Sequence, residues 1–143
     1  MSSDSSPPPN LPIPWPEGVE ISTHTGGCHC KKIRFEFEYP ADIYSLPVPE
    51  CNCSICEDRG SMNVYTWENK FRLTSGSEGD LSIYKFHAKR VNHRSCKVCG
   101  SYIGALVPVP TPGHPGIIVV NTRTIDNIEL KKFQRTPVNG RAW

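Results

Sequence analysis

Seven cysteines fall into three tight clusters, and this arrangement constrains the 143-residue chain more than any other feature. They are Cys28-His29-Cys30 after Gly26-Gly27, then Cys51-Asn52-Cys53-Ser54-Ile55-Cys56, then Cys96-Lys97-Val98-Cys99 before Gly100. An odd count with Cys-x-Cys and Cys-x-x-Cys spacing favours metal ligation over a disulfide framework. Cys-x-x-Cys-Gly has the outline of a zinc knuckle, in which both thiolates converge on one side of a tight turn. Glycine there supplies the positive φ that lets backbone N–H groups face sulfur. If Cys28 and Cys30 lie on an extended strand, positions i and i+2 share a face and can offer both sulfurs to one ion. Together with Cys96 and Cys99 they complete a closed four-cysteine site of the structural type.

That leaves Cys51, Cys53 and Cys56, which can wrap three thiolates around one face of a second zinc. The fourth position would stay open, as catalytic zinc requires. Three thiolates make a soft, formally anionic complex that acidifies water weakly and suits an incoming thiol. A histidine can equally close such a cluster into a second structural site, and His24, His29, His87, His93 and His114 are the candidates. On pattern alone the catalytic and structural readings stand level.

The length suits one domain with its own core. Residues 1–17 read as a disordered Ser/Pro-rich tail, with six prolines before Glu17, whose end near Trp15 docks on the domain. Residues 18–135 form the zinc-binding domain and 136–143 a C-terminal tail. Short strands are expected at Val19 to Thr23, Ile33 to Tyr39, Met62 to Trp67, Leu81 to Phe86, Tyr102 to Val107 and Ile117 to Asn121. Period-two alternation broken by Gly and Pro marks a mainly β, mostly antiparallel fold. Only Ile125 to Phe133 offers a turn or two of helix, and Pro108 to Pro115 reads as a loop.

With 16 Lys+Arg against 14 Asp+Glu and no block of like charge, no nucleic-acid footprint stands out. No apolar run is long enough to span a bilayer, and the N-terminus lacks a secretory h-region, so the expected location is cytoplasmic. The oligomeric state is not encoded in any pattern found.

The order Gly-x-Cys-x-Cys, Cys-x-Cys-x-x-Cys, Cys-x-x-Cys-Gly resembles the family of glutathione-dependent formaldehyde-activating enzymes, which also contains centromere protein V. The likeness runs from about Thr25 to Leu130. It includes His93-Arg94 and the stretch Val120-Asn121-Thr122-Arg123-Thr124-Ile125-Asp126, which are similar to fungal members. The resemblance implies a β-tent fold of short antiparallel sheets with two zinc ions per chain. Cys28, Cys30, Cys96 and Cys99 would hold the structural ion and Cys51, Cys53 and Cys56 the catalytic one, the second being the more weakly held. The implied activity is that of a carbon–sulfur lyase acting on thiol adducts of aldehydes, with glutathione as the thiol. Glu57 and Asp58 follow the second cluster where the family often has basic or neutral residues, leaving Arg59 to meet a carboxylate. Such a pair is more often a solvated turn; if it faces the site, it would repel glutathione and admit a more apolar electrophilic metabolite. Ser95 stands where phenylalanine is frequent. Asn52 and Ser54 can donate to sulfur or cap the turn, whereas Tyr65, Trp67 and His87 read as core more readily than as pocket lining. A non-catalytic, zinc-stabilised protein-binding module is the competing reading.

Overall fold

The computed structural model describes residues 11–51, 60–85, 91–108 and 115–138. Three sheets build it. The first joins β1 (Ile21–Gly27), β2 (Arg34–Pro40) and β5 (Phe71–Ser75), all antiparallel. On β2 the alternation of the sequence is realised directly. Phe35, Phe37 and Tyr39 are buried, while Glu36 and Glu38 face outward and pair with Arg72 and Lys70. Phe35 stacks on Phe71 with ring centroids 5.2 Å apart, which carries the aromatic core across to β5.

The second sheet has five antiparallel strands in the order β4 (Asn63–Trp67), β9 (Ile117–Asn121), β8 (Tyr102–Val107), β7 (Asn92–Cys96), β6 (Leu81–Tyr84). Val64 and Thr66 on β4, with Ile118 and Val120 on β9, turn one buried face toward the first sheet. Thr66 Oγ1 donates to Glu38 O at 2.9 Å, so the two sheets are tied by a hydrogen bond as well as by packing. The third sheet is a parallel pair of β3 (Val48–Cys51) and β10 (Arg135–Val138). The mainly β, tent-like architecture expected from the sequence is therefore present, with a parallel pair added to the antiparallel sheets.

Several boundaries differ from expectation, each for a local reason. Of the turn or two of helix expected in Ile125 to Phe133, one 3₁₀ turn forms, at Leu130–Lys132; Asn127 at φ 57° interrupts the segment before it, and a further 3₁₀ turn, Thr122–Thr124, precedes it. The packed body extends beyond 18–135 at both ends. β10 runs on to Val138 because its parallel partner satisfies the backbone, and Leu11 is buried. Trp15 donates from Nε1 to Tyr65 O at 3.3 Å and packs edge-on against Trp67 and Tyr39, at 4.9 and 5.7 Å between centroids. Trp67 thus serves packing. Trp15→Ala is expected to cost about 2 kcal/mol, below the value for a fully buried tryptophan because Trp15 is half-buried. Urea denaturation should show a lower midpoint with an unchanged slope.

Candidate metal centre and the neighbouring cysteine segment

Two turns from different sheets meet at the first site. β1 ends at Gly27 and the chain turns back through Cys28 and Cys30 into β2, with Lys31 N donating to Cys28 O at 3.2 Å and Lys31 at φ 71°. The pair lies in this turn and not on an extended strand, so the turn itself brings the two sulfurs together, at 3.5 Å. The second turn follows β7. Gly100 N donates to Cys96 O at 2.9 Å, and Gly100 adopts φ 78°, the conformation that the Cys-x-x-Cys-Gly spacing requires. Val98 N points at Cys96 Sγ (3.4 Å) and Ile33 N at Cys28 Sγ (3.3 Å), so backbone donors face sulfur in both turns.

The Sγ atoms of Cys28, Cys30, Cys96 and Cys99 all lie within 4.8 Å of one another. A regular tetrahedron with metal–sulfur bonds of about 2.3 Å has edges of about 3.8 Å. The Cys28–Cys30 and Cys30–Cys96 separations of 3.5 and 3.7 Å fit that figure and are far too long for a disulfide. The four residues can hold one metal ion.

Their electrostatics fit as well. Cys99 is pulled down to about 5 by the Ser101 hydroxyl, 3.2 Å from its sulfur, and by the Ser101 backbone. Cys30 is favoured as thiolate by the Lys32 N–H, yet desolvation and the three neighbouring thiols push it up to about 11. Burial opposes ionisation of Cys28, but the Ile33 N–H and the thiols of Cys30 and Cys96 bring it below its ordinary value. Four thiols that cannot all ionise together are what a cation resolves. Ser101, which also accepts from His29 N at 3.2 Å, was not singled out in the sequence; its place directly after the knuckle glycine is the available signal.

Cys51 ends β3, while Cys53 and Cys56, with Asn52, Ser54, Glu57, Asp58 and Arg59, lie outside the described residues, as do His87 and His114. The flanks of this segment are described, and both are anchored. Its entrance is the β3–β10 pair, with Val138 opposite Cys51. Its exit is gripped by the stretch from Asn121 to Asp126. Thr122 donates from both N and Oγ1 to Met62 O at 2.7 Å, and Arg123 Nε donates to Gly60 O at 3.3 Å. Asn121 holds that stretch in place, donating to Tyr102 O and accepting from Arg123 N. Of the described histidines, His24 contacts Pro40 O, His29 is exposed, and His93 Nδ1 lies 3.1 Å from Tyr102 Oη.

The same stretch closes on the metal turn. Gly26 bridges Ile125, and a Cβ on Gly26 would fall 2.3 Å from Thr124 O, which explains a glycine there. Arg34 donates to both carboxylate oxygens of Asp126, and Thr25 Oγ1 donates to Oδ2 at 2.7 Å.

The sequence profile of the glutathione-dependent formaldehyde-activating enzyme family matches residues 23–138, from β1 to the end of β10. The chain belongs to this family. A crystal structure of a Rhodobacter sphaeroides protein shares the fold, with a TM-score of 0.62 and 23% identity over 78% of this chain and 99% of that one. Among the described residues of this family member, no helix is long and apolar enough to cross a membrane.

Arg34, first among its neighbours, and then Thr25 hold the Asp126 carboxyl below the usual carboxylate range. A depressed folded-state pKa contributes stability that is fully present above the unfolded value of about 3.9 and lost as pH falls through the folded one. The stability gap between the protein and Asp126→Asn should therefore be constant from neutral pH down to about 5 and close below about 4. Its plateau is expected near 1 kcal/mol, since both side chains are about a third exposed and screened by solvent. Denaturation midpoints across pH check this.

Proposed function

We propose that the chain is a zinc-dependent carbon–sulfur lyase acting on thiol adducts of aldehydes or other small electrophiles, working in the cytoplasm. The observation that carries the reading is the division of the cysteines. Four meet in one closed cluster, and the other three belong to a segment pinned at both ends in a chain of the formaldehyde-activating family. Zinc at Cys28, Cys30, Cys96 and Cys99 would be structural. A second zinc on Cys51, Cys53 and Cys56 would lower the pKa of an incoming thiol. In the synthetic direction the thiol sulfur bonds to the aldehyde carbon, the thiol gives up its proton and the carbonyl oxygen gains one; no electron transfer is involved. The protein's part is positional. The grip of Thr122 and Arg123 on Met62 and Gly60 fixes where the chain re-enters the frame after the cysteine segment.

The test is exchange between formaldehyde, glutathione and their hydroxymethyl adduct, followed by NMR with the zinc-loaded protein. Cys53→Ala should lower the enzymatic exchange rate at least about tenfold while the fold survives, since the four-cysteine cluster has its full set of ligands without it. Equal rates for the two proteins would defeat the lyase reading in favour of a non-catalytic zinc module. Running N-acetylcysteamine beside glutathione addresses the thiol. If Glu57 and Asp58 face the incoming thiol, the uncharged thiol should react faster than the dicarboxylate glutathione.

A further inference from the structure

Between β5 and the inner face of the five-stranded sheet runs a cleft of about 350 Å³, at the low end of small-molecule sites. Phe71, Leu73, Ile83, Leu106 and Ile118 give it an apolar wall, and the remaining lining residues are polar or charged. Two cations line it, Arg72, whose exposed side chain pairs with Glu36, and Arg94, which is buried. The Arg94 side chain is 5% exposed, with its guanidinium carbon 5.4 Å from the Phe71 ring centroid. A buried guanidinium needs its five donors met, and this one is under-supplied. Among the described residues, Nη1 alone is engaged, shared between Oε1 and Oε2 of Glu78 at 3.1 and 3.2 Å, and the buried Nε has no hydrogen-bond partner. Glu78 is itself a weak counter-ion, since its side chain is 69% exposed and held in water. Leaving a buried charged donor unpaired is costly.

We propose that this cleft binds a small organic carboxylate with an apolar body, its carboxylate on the Arg94 guanidinium and its body along Phe71, Ile83 and Leu106. A planar carboxylate can take two donors of the fork at once. A phosphate dianion fits less well, because Glu78 already shares the Arg94 guanidinium and repels a second negative charge there. Ile83, 48% exposed, extends the apolar wall to solvent. Room for roughly a dozen water-sized groups suits a phenylalkanoate better than acetate. The site lies on the inner face of the sheet and uses no cysteine, so it stands or falls apart from the lyase reading.

Calorimetric titration of the zinc-loaded full chain with 4-phenylbutyrate, and with 4-phenylbutyramide as its uncharged twin, tests the site. Saturable binding of the acid at least about tenfold tighter than the amide is expected. Glu78→Gln, which removes the competing carboxylate, should tighten it, and Ile83→Asp should weaken it at least about tenfold. Ile83 is exposed enough for that variant to fold, as circular dichroism would verify. Cys53→Ala should bind as the parent does. The proposal is overturned by no saturable binding, by equal affinity for acid and amide, by indifference to Ile83→Asp, by weaker binding in Glu78→Gln, or by loss in Cys53→Ala, which would place the acid at the cysteine segment.

Discussion

Cys30→Ala should leave the protein largely unfolded near physiological temperature, although Cys30 is exposed and fills no part of the core. An exposed side chain with no special role usually moves stability by less than about 0.5 kcal/mol when truncated. Were the four cysteines only packed together, the damage would follow burial, large for Cys28 and Cys96 at 1% and 2% exposure and small for Cys30. Were they a zinc site, each would matter alike, because apparent free energies for structural zinc are about 10–16 kcal/mol and a domain of this size is stable by only about 5–15. The fold makes the dependence severe. Cys28 and Cys30 belong to the turn between two strands of the first sheet, Cys96 and Cys99 to the hairpin of the second, so the ion would staple the sheets together. Thermal melts with zinc content measured by mass spectrometry decide it. Cys30→Ala should lower the melting temperature by more than about 15 °C and lose one equivalent of metal, and a strong chelator should do the same to the parent protein. A melt within a few degrees of the parent would remove the structural zinc from the fold.

Where side chains alternate in the sequence, structure was legible. Phe35, Phe37 and Tyr39 announce β2, and the apolar runs of β8 and β9 begin and end where expected. Among the described residues, the strands that went unseen are β5, which is short and buries no residue, and those in which burial is polar or proline intervenes. On β7, His93 and Arg94 are buried with Tyr102 and Glu78 as partners, so no hydrophobic period marks it. β3 and β10 each contain a proline, tolerated because the two form a sheet of two edge strands. The composition of the four-cysteine cluster could be read from spacing, but its geometry could not. Cys28 and Cys30 share a turn, and that turn depends on Lys31 adopting a positive φ that its residue type does not announce. The clamp of Thr122 and Arg123 on the far side of the second cluster was visible only as a family motif. Its physical purpose required the backbone carbonyls of Gly60 and Met62 to be in place.

Gly104→Ala is expected to destabilise the protein by at least about 4 kcal/mol, the largest effect of any single methyl group considered. Gly104 lies on β8 at φ 150°, opposite Arg94 on β7 and Val120 on β9. A Cβ there would sit 1.9 Å from Val119 O and 2.9 Å from Val119 C. Both atoms are backbone of the neighbouring strand, so no rotamer change relieves the overlap, and β8 must part from β9 in the middle of the five-stranded sheet. The close approach belongs to the irregularity beside it, where the β7–β8 register shifts between Arg94 and Ser95. His93 and Arg94, in regular register with Ala105 and Gly104, are buried on adjacent positions, so both faces of the sheet are covered here. Gly18→Ala is the control. Gly18 also has a positive φ, 71°, but nothing lies within 4 Å of its added Cβ, so only the backbone cost of about 1 kcal/mol should appear. Denaturant midpoints measured for both should differ by the steric component alone. Excess zinc should not rescue Gly104→Ala, because the clash opposes strand pairing directly. Recovery by zinc would mean that the sheet yields at Gly104 and that the metal cluster, more than the β8–β9 ladder, holds this half of the fold together.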